Sequence, residues 1–200
     1  MPLSPGFVLR TALATVLAAA ACAPLSAETI SGLTPLAADP NPLEIKPGLA
    51  VKYYFSMFRR VHEIEEWAKY KDGKPGEPLR MLNYHTGADE VLTSGADDGV
   101  GADIRGMIQF AEAGDWVLAM QSNDGVRLEI GGKLIVNDPT VHADRYSELI
   151  TVQIAEPGWY PLLLWYFERK NTSTLELYWL KPGQEGRLSF VPAEALAHIE

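Results

Sequence analysis

The chain has 200 residues, 47% of them hydrophobic and 22% charged, with a formal net charge of −9. That is enough apolar material for one domain with a real core, and too much for a chain that is disordered throughout. The acidic balance argues against a nucleic-acid surface, which needs clustered Lys and Arg, and leaves cations and neutral ligands such as sugars as partners.

Residues 1–27 read as a secretory signal peptide: Arg10 precedes an apolar, Ala-rich stretch, and no acid occurs before Glu28. The stretch is too short and too rich in Ala for a membrane span. Two endings compete. Cleavage after Ala27 gives a soluble exported protein, periplasmic or secreted. Cys22 after "AAA" instead resembles a lipoprotein box and implies a lipid anchor. Removal of residues 1–27 takes one arginine and no acid, so the mature charge is about −10. Cys22 is the only cysteine, so the mature domain has no disulfide framework, thiolate nucleophile or Cys-ligated zinc.

Residues 28–47 hold four prolines and no periodicity, and read as a Pro-rich tether. The domain is expected over residues 48–200. "GLAVKYYFSMF" reads as a first strand covered on both faces, "RRVHEIEEWAKY" as either a short helix or an irregular arm, and residues 81–103 as loop. A strand is expected over Arg105–Glu112. Three later segments alternate with period two: Val126-Leu128-Ile130, Ile150-Val152-Ile154 and Leu175-Leu177-Trp179. Gly131-Gly132 predicts a tight hairpin, whose central positions favour φ > 0. "YPLLLWYFE" is apolar on both faces and reads as a central strand. Many short strands with Gly/Pro turns and little helical period predict an all-β sandwich or barrel.

Several segments occur in an order that resembles the fourteen-kilodalton protective-antigen domain family, a β-barrel or sandwich module found in toxins, flocculins, glycosidases and adhesins. They are "GLAVKYY", the block "IRGMIQFAEAGDWVLAMQSNDGVRLEIGGKLIVND", "EPGWYPLLLWYFE", "STLELYW" and "FVPAEAL". Together they span about Gly48 to Leu196. The resemblance implies an antiparallel β-sandwich or barrel. In the sugar-binding members, two adjacent aspartates in the central turn hold a calcium ion that binds sugar hydroxyls. Here those positions are Asn123 and Asp124. Calcium takes six to eight oxygen ligands, and an amide oxygen can still ligate it, but one negative charge is lost and the site is weakened. The family's second ligand loop corresponds to "YFERKNTS". It offers Glu168, with Asn171 nearby, while Arg169 and Lys170 oppose a cation. The metal set implied is Asn123, Asp124 and Glu168. The other reading of Asn123-Asp124-Gly125 is a tight hairpin turn that needs no metal.

A second loop, "NDPTVHADR", gathers Asn137, Asp138, His142 and Asp144 and is a candidate rim for ligand, together with Asn171. "GADDGVGAD" carries Asp97, Asp98 and Asp103 but lacks the EF-hand spacing. "NTS" at Asn171 fits a glycosylation sequon in a host with the machinery. There is no Gly-x-Ser-x-Gly, His-Glu-x-x-His or phosphate loop, and His62, His85, His142 and His198 lack ligand spacing. The expected function is therefore an exported, non-catalytic module that recognises a glycan or envelope polysaccharide, with calcium as an assisting ion. The alternative is a structural or protein-interaction module of the cell envelope with no metal site.

Overall fold

The computed structural model describes residues 29–38, 40–41 and 43–199. The signal peptide expected over 1–27, including Cys22, lies outside them. Among the described residues no helix is long and apolar enough to cross a membrane.

Two β-sheets face each other across one core. In the first sheet, Thr29–Ile30 (β1), Ile150–Ile154 (β11), Gly114–Asn123 (β7), Ser173–Leu180 (β13) and Ser189–Phe190 (β14) lie side by side. Arg145–Tyr146 (β10) joins β7, and Asn83–Thr86 (β5) joins β13. The second sheet runs Ile45–Pro47 (β2), Leu196–Ile199 (β15), Val100–Phe110 (β6), Gly158–Glu168 (β12), Val126–Ile130 (β8) and Lys133–Asp138 (β9). Ala50–Phe55 (β3) pairs with β6 and with Lys74–Pro75 (β4). All pairings are antiparallel except β1 with β11. The all-β sandwich expected from the strand pattern is the fold observed.

The alternating segments place their apolar sets as the period demands. Val126, Leu128 and Ile130 point into the core with Val152, Ile154, Leu175 and Leu177. Strand β12 is central and covered on both faces. Its Tyr160, Leu162, Leu164 and Tyr166 enter the main core. Its Trp165 and Phe167 pack outward under the helix Val61–Ala68 (α1), with Tyr54, Phe58, Val61 and Ile64. Val61, Ile64, Trp67 and Ala68 recur at helical spacing, which gives α1 the one apolar stripe that this outer face receives. The Gly131-Gly132 turn joins β8 to β9 with φ of 56° and 75°.

Three expectations are corrected. The expected strand over Arg105–Glu112 begins five residues earlier, at Val100. Gly101 falls in the stretch read as loop, yet both glycines of the strand are packing requirements. A Cβ on Gly101 would lie 2.7 Å from the Phe58 ring, and one on Gly106 would lie 2.3 Å from the Ala197 carbonyl oxygen. Second, residues 28–47 are not a free tether where they are described. β1 adds to the edge of one sheet, Leu33 is buried, and the Thr34 and Leu36 amides donate to the Gly131 and Trp159 carbonyls in the other sheet. The segment straps the two sheets together. Third, Asn123-Asp124-Gly125 does not turn a hairpin. β7 belongs to one sheet and β8 to the other, so the turn carries the chain across the sandwich.

Candidate functional site

The crossover turn lies at one end of the sandwich, between the loop after β9 and the loop after β12. Its backbone docks on β12: the Asp124 amide donates to the Phe167 carbonyl (3.1 Å) and the Phe167 amide to the Gly125 carbonyl (3.0 Å). Only glycine fits at position 125, because a Cβ would lie 2.5 Å from the Phe167 ring and 2.9 Å from the Pro139 backbone. The Asn123–Asp124 peptide is cis. From beneath, the buried Tyr166 hydroxyl donates to the Asn123 carbonyl at 2.6 Å.

Asp124 is almost fully buried and ties the three loops together. Its Oδ1 accepts from the His142 amide (3.1 Å) and its Oδ2 from the Arg169 amide (2.8 Å). Burial raises its pKa above the ordinary carboxylate value, and those two amides oppose the shift. Asn123 Nδ2 donates to Thr172 Oγ1 at 2.8 Å, which spans the turn and the β12–β13 loop.

Glu168 ends β12 with no exposed surface. Its Oε2 accepts from the Gly99 amide at 3.1 Å, while its Oε1 is buried with no hydrogen-bond partner. Burial, then the charges of Asp98 and Asp124, push its pKa up to about 7, and the Gly99 amide only partly offsets them. Asp98 in turn accepts from the Asn171 amide at 2.7 Å, and Asn171 adopts φ of 76°.

The structure thus gathers Asn123, Asp124, Glu168, Asn171 and the His142 backbone at one corner. It divides the other candidates. Asp138 takes the Arg145 guanidinium on both oxygens, through Nε at 2.7 Å and through Nη2. His142 Nε2 lies 3.2 Å from Asp138 Oδ2 without a directed hydrogen bond. Asp144 sits on the exposed rim of that loop. Sequence reasoning missed the tie from Tyr166 to the turn and the role of Asp98 as an acceptor for Asn171. The Tyr-x-Glu spacing was the available sign, because it puts Tyr166 and Glu168 on one face of β12. It also missed three arginines. Arg59, Arg60 and Arg169 border a cavity of about 370 Å3 beside the turn, with Thr140 and Val141.

A calcium ion at this corner has specific oxygens to use. The Asn123 amide oxygen is left over when Nδ2 binds Thr172, and Glu168 Oε1 has no partner. Against these, both Asp124 oxygens already accept backbone amides, and the Arg169 charge acts on Asp124. Among the described residues no three Asp, Glu, His or Cys side chains converge to hold a metal. The donor set therefore offers two unengaged oxygens, one of them neutral, which is fewer than the six to eight that calcium takes.

A family model described as the PA14 domain matches residues 83–189. The chain belongs to the PA14 domain family. A search of curated proteins returned no match. Among solved structures, the PA14 domain of the MpAFP antifreeze protein superposes with a TM-score of 0.64 at 12% identity, covering 80% of this chain and 95% of that one. A PA14 sugar-binding domain from an RTX adhesin gives 0.60 at 13% identity, covering 76% and 98%. The Epithelial Adhesin 9 A domain from Candida glabrata, in complex with Galb1-3GlcNAc, gives 0.60 at 12% identity, covering 84% and 96%. At these identities the likeness carries the fold. The family match begins at residue 83, yet β2 and β3, which precede it, are built into the same sandwich.

Proposed function

We propose that this PA14 domain is a non-catalytic carbohydrate-binding module that takes sugar at the end of the sandwich formed by the crossover turn, the loop after β9 and the loop after β12. The observation that carries the reading is the Asp124 carboxylate, which clamps the backbones of two loops onto the turn and so presents a preorganised rim. Two of the similar structures are described as a sugar-binding domain and as a complex with a disaccharide, which supports the same class of ligand.

Calcium assistance belongs to the proposal. Asn123, Asp124 and Glu168 are the residues to hold the ion, and the chemistry that calcium supplies is coordination of vicinal sugar hydroxyls. The chain's own residues do the rest. Tyr166 and Thr172 fix the turn, Asp124 orders the rim, and the loop side chains offer hydrogen bonds to hydroxyls. Export through residues 1–27, ending at Ala27 or at a lipidated Cys22, completes the proposal by placing the module among envelope or extracellular glycans.

The test is a glycan array probed with the full chain in millimolar calcium and again in EDTA. Binding that falls at least tenfold in EDTA and in Asp124→Ala supports the whole reading. Binding indifferent to EDTA removes calcium and keeps the sugar. No carbohydrate binding in either buffer overturns the reading and favours a protein-interaction module of the envelope. One observation favours that second reading. Tyr146, Tyr178 and Phe190 form an aromatic row on the outer face of the first sheet, with ring centroids 5.9 and 4.6 Å apart and Tyr146 60% exposed.

A further inference from the structure

The three-arginine cavity is the feature that neither the family likeness nor the sugar reading requires. Arg59 and Arg60 precede α1, and Arg169 follows β12. They are brought together by backbone contacts. Arg60 forms a β-bridge with Thr140, and the Val61 amide donates to the Pro139 carbonyl at 3.0 Å. Arg169 is fixed from both sides, its amide on Asp124 and its carbonyl accepting from Gly99. The cavity of about 370 Å3 between them falls in the range of small-ligand sites.

In a chain of net charge −9, three arginines lining one cavity need an explanation. Among the described residues none of the three is in an ion pair with a carboxylate. Glu63 is the acid closest in sequence to Arg59 and Arg60, and its carboxylate accepts from the Arg59 backbone amide at 2.8 Å; Glu168, next to Arg169, is buried and accepts from the Gly99 amide. The Nε of Arg169 is buried and has no hydrogen-bond partner. A buried N–H left unpaired is destabilising, and an anionic oxygen is the acceptor that suits a guanidinium best. Arginine presents planar, paired donors that match a carboxylate or a sulfate two oxygens at a time. Thr140 adds a hydroxyl and Val141, about half exposed, an apolar patch, as a sugar ring requires. A nucleic acid or other extended polyanion is repelled by the rest of the surface, so the pocket suits one local anionic group on an otherwise neutral ligand.

We infer that this cavity is a subsite for the carboxylate or sulfate of an acidic sugar, so that the module recognises uronate- or sulfate-bearing glycans. The inference rests on the carbohydrate reading and narrows it. Arg59 and Arg60 lie outside the segment matched by the family model, and Arg169 lies within it.

The test pairs ligands that differ only in charge. Uronate and sulfated oligosaccharides are arrayed beside their carboxyl-esterified or desulfated forms, with anionic phosphatidylglycerol vesicles as a third arm, and the full chain is titrated on each. The expected result is binding at least tenfold tighter to the acidic form and weakened by added salt. It is reduced at least tenfold by Arg59→Gln or Arg60→Gln, with unchanged melting temperatures because both side chains lie on the surface. Arg169→Gln is expected to lose more but perturbs a partly buried residue, so the two surface variants decide. Equal binding to the charged and neutralised forms overturns the inference and leaves the sugar reading standing. Binding to vesicles alone overturns it in favour of a lipid headgroup. Binding to no carbohydrate of either kind overturns the sugar reading and this inference with it.

Discussion

The two ends of this sandwich are built on opposite principles. At one end, Phe110, Trp116, Tyr160 and Trp179 form an aromatic cluster with centroid distances of 4.7–6.2 Å. Two of its polar tips are satisfied: Trp116 Nε1 donates to the Glu112 carbonyl and the Tyr160 hydroxyl to the Glu156 carbonyl. At the other end lie Asp124 and Glu168, both buried, an unpartnered Glu168 oxygen and an unpartnered Arg169 nitrogen. The same strands run through both, since β7, β12 and β13 each contribute to the aromatic end and to the polar end. The lesson is a division of labour. Stability is concentrated where apolar area is dense, and the other end tolerates buried charge because the cluster holds the strands in place.

Truncation of the aromatic end should therefore have the largest effect. Trp116→Ala removes a fully buried indole that touches two other rings, and is expected to lower unfolding stability by about 3–5 kcal/mol in urea titration. A loss under about 1 kcal/mol would show that the cluster does not anchor the fold.

The polar end should instead show itself through pH. Glu168 keeps its proton in the folded state to about pH 7, whereas an unfolded glutamate releases it near 4.5. The folded state thus binds the proton more tightly, so this contribution is fully present below about pH 4.5 and is lost as pH rises through about 7. The loss is on the order of 3 kcal/mol. Glu168→Gln should flatten that slope and be more stable than the parent at pH 8. A parallel pH profile for the two proteins would remove Glu168 as its source.

Much of the architecture was legible in the sequence, for a reason visible in these same strands. Val126–Ile130 and Ile150–Ile154 carry period-two patterns because one face of each is buried, and Gly131-Gly132 announces the hairpin between β8 and β9. The crossover was not legible. Asn-Asp-Gly is a hairpin signal locally, and only the long-range pairing of β8 with β12 shows that the chain has changed sheets. The arginine cavity was hidden by sequence distance, since Arg59 and Arg169 meet only once α1 packs on β12. Of the candidate site, the turn and Glu168 were found through a family resemblance, whereas the burial that raises Glu168 had to come from the structure.

A smaller effect is expected when the clamp itself is cut. Asp124→Ala leaves the His142 and Arg169 amides without their acceptor but also removes a buried charge, so the net loss is about 2 kcal/mol. Hydrogen exchange reads the mechanism directly. Those two amides should lose protection while the strand amides of β12 keep theirs. Unchanged protection at His142 and Arg169 would mean that the loops are held by something other than this carboxylate.

The smallest effect, and the sharpest for calcium, comes from Asn123→Asp. The bond to Thr172 survives the change, because the threonine hydroxyl rotates to donate where it now accepts from Nδ2. What is added is a second anion beside Asp124, in a corner where burial and neighbouring acids already raise Glu168. In EDTA the variant should be less stable by about 1 kcal/mol from that repulsion. In millimolar calcium the extra carboxylate becomes a ligand, and the melting temperature should rise by more than that of the parent. A variant destabilised equally in both buffers would show that the corner does not admit the ion even with its charge restored. The difference between the two ends would then be one of buried polar groups against apolar packing, with the Glu168 proton taking the place of a metal.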